Sequence, residues 1–336
     1  MKRFFSAPYR FVLIHWIMLL LVTGAILLET FVIPRGIAVE PPVPQNPQVG
    51  ATDDPVSDVP TQESSDGSTD DSGSDGSTQE KNSDTTEDPP ETEPVITKNS
   101  YRDANISITI STIRRFDTDV YVADVVVSSV EYLKTAFANN TYGRNIKQTT
   151  SKIAASVGAI FAVNGDYYGF RNSGYVIRNG VLYRDSVYSS SREALVVGAD
   201  GALFSVYEKK VSAKSLYEDD AEHVLSFGPT LVQDRKSMVT PSDEIGKWTS
   251  NPRASMGMIE PLHYVFIVSD GRTSKSAGLS LYQLAQVYLE YDCEFAYNLD
   301  GGGSATMVFN GRVVNTPTDG SYVGERKVSD IVYIGY

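Results

Sequence analysis

Hydrophobic and polar positions are distributed along this chain in three ways. From Phe11 to Leu28 the run FVLIHWIMLLLVTGAILL carries no formal charge at neutral pH. Eighteen residues at about 1.5 Å each make roughly 27 Å of helix, close to the hydrocarbon thickness of a bilayer. Glu29 interrupts the run, and residues 30–33 extend it before Pro34. Over residues 40–98 large apolar side chains almost vanish among Pro, Ser, Thr, Asp, Glu and Gly. Such a segment cannot bury enough apolar surface to offset its ordering entropy, so it predicts a disordered tether. Beyond residue 99 apolar positions return with the two-residue period of strands. Ile106, Ile108 and Ile110 alternate with Ser107, Thr109 and Ser111, the pattern of a half-buried strand. Residues 120–129 form a second, more apolar run.

Between such runs stand Asn179-Gly180, Asp200-Gly201, Asp270-Gly271 and Asn310-Gly311, dipeptides that favour hairpin turns. Helical periodicity is scarce. One helix is expected over 281–291, with Ser280 and Gln283 as a capping box and Leu281, Leu284, Ala285, Tyr288 and Leu289 as its apolar face. A shorter one is expected over 145–157. The organisation predicted is a tail (1–10), a transmembrane signal anchor (11–33), a disordered acidic linker (34–98) and one strand-rich α+β catalytic domain with few helices (99–336).

Charge sharpens that division. Of 42 acidic residues, 15 lie between Glu40 and Glu93, against the single base Lys81. Residues 95–336 hold 24 Lys and Arg and 26 Asp and Glu, so the domain is near neutral although the chain totals −13. No broad basic surface exists to grip phosphate backbones, which argues against a nucleic-acid partner. Lys2, Arg3 and Arg10 precede the apolar run with no acid among them. Positive charge on that side keeps it cytoplasmic and places the domain outside the cell, held at the membrane by a single N-terminal span. The residues after the run offer a poor small-x-small cleavage site, so the anchor is expected to stay. A lone cysteine, Cys293, excludes a disulfide framework, a thiolate zinc site and an iron–sulfur cluster. It stands among Tyr291, Phe295 and Tyr297 and is expected to pack. His223 and His263 lack any familiar metal-ligand spacing, and nucleotide-binding glycine motifs and a Gly-x-Ser-x-Gly elbow are absent.

Four segments combine tight backbone with charged or amide side chains: Asn164-Gly165-Asp166-Tyr167-Tyr168, Phe227-Gly228-Pro229-Thr230, Asn251-Pro252-Arg253, and Asn298-Leu299-Asp300-Gly301-Gly302-Gly303-Ser304. Three successive glycines forfeit packing and add freedom that folding must remove. They point to a backbone that approaches something closely, with N–H groups turned out as an anion cradle beside the Ser304 hydroxyl. Arg253, after a proline, and Arg272, after Asp270-Gly271, are candidate phosphate ligands.

In order and spacing, NGDYY (164–168), SFGPTLV (226–232), NPRASMGM (251–258), SDGR (269–272), GLSLYQLAQ (278–286), NLDGGGSATM (298–307) and the terminal KVSDIVYIGY resemble the phosphodiester glycosidase family over about residues 153–336. Tyr167-Tyr168 stands where Phe is more common in the family. The resemblance implies removal of a sugar joined through its anomeric carbon to a phosphodiester. The animal member carries its membrane span at the other terminus. An N-terminal anchor and long tether look instead like a Gram-positive-type surface protein, whose substrate would be a glycosyl-phosphate polymer or a phosphate-linked envelope glycan such as an exopolysaccharide.

For that reaction, Arg253, Arg272, the Gly301, Gly302 and Gly303 backbone and Ser304 are expected to hold the departing phosphate, with Asn164 orienting the substrate. Asp166 and Asp300, then Asp270, are the carboxylates expected to stabilise, attack or hydrate the oxocarbenium-like sugar. A second scheme has Asp166 and Asp300 hold a divalent cation, Mg²⁺ or Ca²⁺, against the phosphate. Two further readings stay open: a non-catalytic module that binds surface glycans or supports polysaccharide assembly, and a glycosyl transferase using the same residues.

Overall fold

The computed structural model describes residues 15–23, 35–39, 93–241 and 250–336. Residues 15–23 are helical with every side chain exposed; the remainder of the anchor expected over 11–33 lies outside the described residues. Among the described residues no helix is long and apolar enough to cross a membrane. Most of the linker expected over 34–98 is likewise outside them. At its two ends, Arg35–Ala38 and Val95–Ile96 form short strands.

The described residues from 93 onward build three large sheets, with smaller two-stranded ones beside them. The largest has nine strands, every neighbouring pair antiparallel, and Arg253–Glu260 and His263–Ser269 lie at its middle. Alternation explains why both of its faces are covered. Ile106, Ile108, Ala123, Val125, Met256 and Phe266 point into one core, while Val120, Val122, Val265 and Ile267 point into another. The helix Leu281–Glu290 closes the second face with Leu284, Val287 and Tyr288. Its capping box is formed as expected: the Ser280 hydroxyl accepts from the Gln283 N–H and the Gln283 side chain accepts from the Ser280 N–H.

A five-stranded sheet containing Phe161–Asn164, Met307–Phe309 and Asp330–Ile334 packs on the first face through Phe161, Val163, Met307, Phe309 and Val332. Its outer side is covered by the helix Thr150–Ser156 through Ile153 and Ala154. That helix is shorter than the expected 145–157. Asn145 takes a left-handed conformation (φ 60°), and the Thr149 side chain caps the helix by accepting from the Lys152 N–H, which sets the start. The third sheet, also five-stranded, carries Val176–Arg178 and Glu193–Val197 and is backed by the helix Ala213–Glu218. Each fully buried Val, Leu or Phe in these cores contributes about 1.5–3 kcal/mol, so the layers hold one another without disulfides.

Three of the four turn dipeptides behave as expected. Asn179-Gly180, Asp200-Gly201 and Asn310-Gly311 join paired antiparallel strands, with positive φ at Asn179, Gly180, Gly201, Asn310 and Gly311. Asp270-Gly271 does not make a hairpin. His263–Ser269 ends there, and the chain leaves the sheet for the helix Leu281–Glu290. His263 opens its strand, and Cys293 is buried as expected.

Candidate active site

The strand ends carry the chemistry to one edge of the nine-stranded sheet. Register does this: Arg253 pairs with Ser269, and Ser255 with Asn298. The residues before Arg253, after Ser269 and after Asn298 therefore emerge side by side. The Leu299 N–H donates to the Ala254 carbonyl (2.9 Å) and the Gly302 N–H to the Pro252 carbonyl (2.8 Å). That lays the glycine turn along the Arg253 segment. An open cleft of about 840 Å³ lies over it, and its lining includes Tyr167, Arg171, Tyr188, Arg192, Phe227, Arg253, Arg272, Asp300, Gly301, Gly302 and Arg326.

Each glycine of the turn answers a different neighbour. A Cβ on Gly301 would stand 2.8 Å from the Pro252 carbonyl oxygen, and one on Gly303 would stand 2.4 Å from an Asp319 carboxylate oxygen. Gly302 has φ +61°, and its Cβ would meet the Arg272 guanidinium at 3.1 Å. Close approach is thus the reason for the triplet. The amides do not all turn outward, however. The Gly302 N–H is given to Pro252 and the Ser304 N–H to the Gly301 carbonyl. The cleft's positive charge comes from arginine side chains in its lining.

Asp300 sits on the cleft floor with part of its surface open. Burial pushes its carboxyl up to about 6, against the pull of a Ser304 hydroxyl hydrogen bond and the charges of Arg326 and Arg171; the charge of Asp166 adds to the rise. Arg253 is 8% exposed, donates Nε to the Leu279 carbonyl (2.9 Å), and burial beside Arg272 lowers it to about 10. It stays charged near neutrality. Arg272 adopts φ +61° and donates Nη2 to the Asn251 side chain (3.0 Å).

Five of the expected site residues do not line the cleft: Gly303 and Ser304 are buried at the far end of the glycine turn, and Asn164, Asp166 and Asp270 lie behind the cleft wall. Asn164 is fully buried; it donates to the Asp300 carbonyl (2.6 Å) and accepts from the Thr306 N–H (3.2 Å). It fixes the backbone of Asp300. Asp166 accepts from the Tyr168 and Ser226 N–H groups (2.9 and 2.7 Å) and pairs with Arg178 at 3.2 Å. Asp270 accepts from the Thr316 N–H (2.8 Å) and the Tyr121 hydroxyl (3.1 Å), and burial raises its carboxyl. Neither Asp166 nor Asp270 lines the cleft. A divalent cation shared by Asp166 and Asp300 does not fit this donor set. Both oxygens of Asp166 are committed, and among the described residues no three His, Cys, Asp or Glu side chains gather to hold a metal.

Several further residues in and behind the cleft were not among the expected site residues. Arg326 pairs with Asp319 at 2.8 Å. Arg171 donates to the Ser226 carbonyl and lies over Tyr188 (5.3 Å), Tyr167 and Phe227 (5.8 Å each). Arg192 stands 4.5 Å from the Tyr188 ring centre and donates to the Phe227 carbonyl. Asn298, whose Nδ2 donates to Gly228, leaves a buried Oδ1 with no hydrogen-bond partner. Behind the floor, Arg178 and Asp330 (1% and 0% exposed) pair at 2.7 Å. Burial pushes Asp330 up to about 7 against the pull of Arg178, and Asp166 adds to the rise.

The sequence family described as phosphodiester glycosidase matches residues 157–335. The chain is 31% identical over 205 residues to the SPbeta prophage-derived uncharacterized protein YomE of Bacillus subtilis, covering 58% of this chain and 31% of that protein. It is 28% identical over 189 residues to human N-acetylglucosamine-1-phosphodiester alpha-N-acetylglucosaminidase, covering 52% of this chain and 36% of that enzyme. It thus spans about a third of the length of these curated relatives. The catalytic domain of the zebrafish N-acetylglucosamine-1-phosphodiester alpha-N-acetylglucosaminidase, auto-inhibited by its pro-peptide, has a similar fold: TM-score 0.56 at 20% identity, over 69% of this chain and 83% of that one. A hypothetical protein from Synechocystis has a TM-score of 0.54 at 12% identity, over 69% of this chain and 62% of that one.

Proposed function

The chain belongs to the phosphodiester glycosidase family, and from that premise we propose that it hydrolyses the bond between a sugar's anomeric carbon and a phosphodiester. The observation that carries this reading is the charge of the cleft. One carboxyl raised by burial, Asp300, lies among Arg171, Arg192, Arg253, Arg272 and Arg326. Rupture of the anomeric C–O bond passes through an oxocarbenium-like state and leaves a phosphate carrying one more negative charge. Prearranged guanidinium groups hold that charge as it grows, so the leaving group needs little protonation. Arg253 and Arg272 beside the glycine turn perform this role. Asp300, ionised above about pH 6, attacks the anomeric carbon or takes the proton of an attacking water. Tyr167, Tyr188 and Phe227 offer faces to a sugar ring, and the Asn298 Oδ1 accepts from a sugar hydroxyl.

The substrate proposed is a glycosyl-phosphate of the cell envelope, met outside the cytoplasm by a domain anchored through residues 11–33. The uncharged run and the bases before it support that placement; recovery of the full chain in the soluble fraction after lysis would contradict it. The reaction is tested with the full chain, UDP-N-acetylglucosamine and simple glycosyl-1-phosphate diesters, with and without EDTA. Free sugar with an intact phosphorylated aglycone is expected, unaffected by EDTA. Free phosphate without free sugar, or no turnover on glycosyl-phosphates of any kind, would sink the reading.

A further inference from the structure

A second pocket, separate from the cleft and open to solvent, is lined by Gly36, Ile37, Tyr142, Gly143, Arg144, Tyr168 and Arg184 and has a volume of about 330 Å³. The Arg35–Ala38 strand forms one wall by pairing with Thr141–Arg144. Among the described residues, nine buried side-chain polar atoms have no hydrogen-bond partner, and three of them belong to this lining: Arg144 Nε, Arg184 Nη2 and the Tyr168 hydroxyl. Tyr168 is 1% exposed. The Gly143 N–H lies near its oxygen, but an approaching N–H leaves the hydroxyl proton itself without an acceptor.

All three orphans are donors, and an unmade hydrogen bond from a buried donor costs about 1–3 kcal/mol, more when the group is charged. The lining holds two arginines and no carboxylate. Asp166 and Asp330, which lie behind Tyr168, are paired with Arg178. Arg184 is further fixed by donating Nε to Gly174 (2.6 Å) and Nη1 to the Tyr168 and Arg171 carbonyls (3.1 and 2.8 Å), which aims its remaining nitrogen. Tyr142 stacks on Tyr168 at 5.4 Å and adds a second aromatic ring to the lining. The fixed Arg184 guanidinium, the Arg144 guanidinium and a hydroxyl donor line one pocket, and their unpaired donors suit a multivalent acceptor that carries negative charge.

We propose that this cavity is a second anion site, taking an oxyanion of the phosphate class, either free phosphate or the phosphate end of a phosphomonoester. The claim stands apart from the reaction assigned to the cleft. It is tested by equilibrium dialysis of the full chain in detergent with labelled inorganic phosphate and, separately, a labelled sugar 1-phosphate. Chloride replaces phosphate as the control. Arg144 donates none of the described side-chain hydrogen bonds, so Arg144→Gln should fold; Arg272→Gln cripples the cleft. Wild type is expected to bind two equivalents, each single variant one, and the double variant none. One equivalent in wild type, lost in Arg144→Gln and kept in Arg272→Gln, still supports this site while telling against phosphate binding in the cleft. Binding unchanged by Arg144→Gln, or lost altogether in Arg272→Gln, overturns the proposal. Uptake of inorganic phosphate alone identifies the free ion as the ligand; uptake of both assigns the phosphomonoester end.

Discussion

At the scale of single residues, Asp300 combines its proposed role with a cost. Its carboxyl is raised to about 6 chiefly by burial, so the native state favours the protonated form. Between the unfolded value of 3.8 and about 6 the folded chain binds more protons than the unfolded chain, and this group's contribution to stability is lost as pH rises through that window. Asp300→Asn removes the ionisation but keeps an acceptor for the Ser304 hydroxyl. The variant is expected to lose about 10²–10⁴-fold in kcat yet to melt higher than wild type near pH 7, the gap closing as pH falls towards 4. Calorimetry across that range checks it, and a variant less stable at every pH contradicts it. Wild-type kcat should rise through about pH 6 as Asp300 ionises. Gly165 offers a second residue-scale test. A Cβ there would stand 2.4 Å from an oxygen of Asp330, which Arg178 pins in place. Gly165→Ala should therefore cost about 1–3 kcal/mol in urea unfolding, as overpacking does in a rigid interior. A cost near zero would show that the Asp330–Arg178 pair yields easily.

At the scale of elements, the glycine turn shows what the sequence could reveal and what it could not. Gly301, Gly302 and Gly303 are legible because a triplet is costly unless neighbours demand it, and each meets a distinct one. The residue that presses on Gly302 is Arg272, which a reading of the motif alone would not find. Gly302→Ala should strain a left-handed position by about 1–2 kcal/mol and displace Arg272. Its KM for a phosphodiester should then rise while the fold persists by circular dichroism; an unchanged KM would remove Arg272 from substrate binding. Strands were legible from alternation, the Leu281–Glu290 helix from its cap and the hairpins from Asn-Gly pairs, because each signal is local. Ala213–Glu218 was not, since six residues are too few to show a period. Asp270-Gly271 misled because a turn dipeptide does not say whether the next element returns to the same sheet. Arg253, Arg272 and Asp300 were legible because they sit at strand ends beside tight backbone. Arg171, Arg192 and Arg326 lie on connections without any periodic signal, and only the fold brings them to the cleft. Asp166 and Asp270 were candidates because they stand in tight-backbone motifs beside amide or charged side chains; register turned both away from the cleft and into buried hydrogen bonds.

For the whole molecule, net charge and local field make opposite forecasts, so salt dependence can choose between them. The chain totals −13, which taken alone would repel an anionic diester. Yet 15 of its acids lie between Glu40 and Glu93, and the domain's own balance is near zero. On that near-neutral body the cleft lining gathers five arginines against Glu193 and Asp300. A concave site lined by one sign of charge concentrates the field and raises the encounter rate of oppositely charged ligands. Raising ionic strength from about 0.01 M to about 0.15 M shortens the screening length from about 30 Å to about 8 Å. If the cleft governs, kcat/KM for a glycosyl phosphodiester should fall by about 10-fold or more across that range, with kcat little changed because bound charges are shielded from salt. Arg272→Gln should flatten the slope, since it removes one attracting charge without altering the acidic segment. If net charge governs, kcat/KM should instead rise with salt as repulsion is screened. That outcome would mean that the arginines, several already bonded to backbone carbonyls, organise the cleft wall and do not draw substrate.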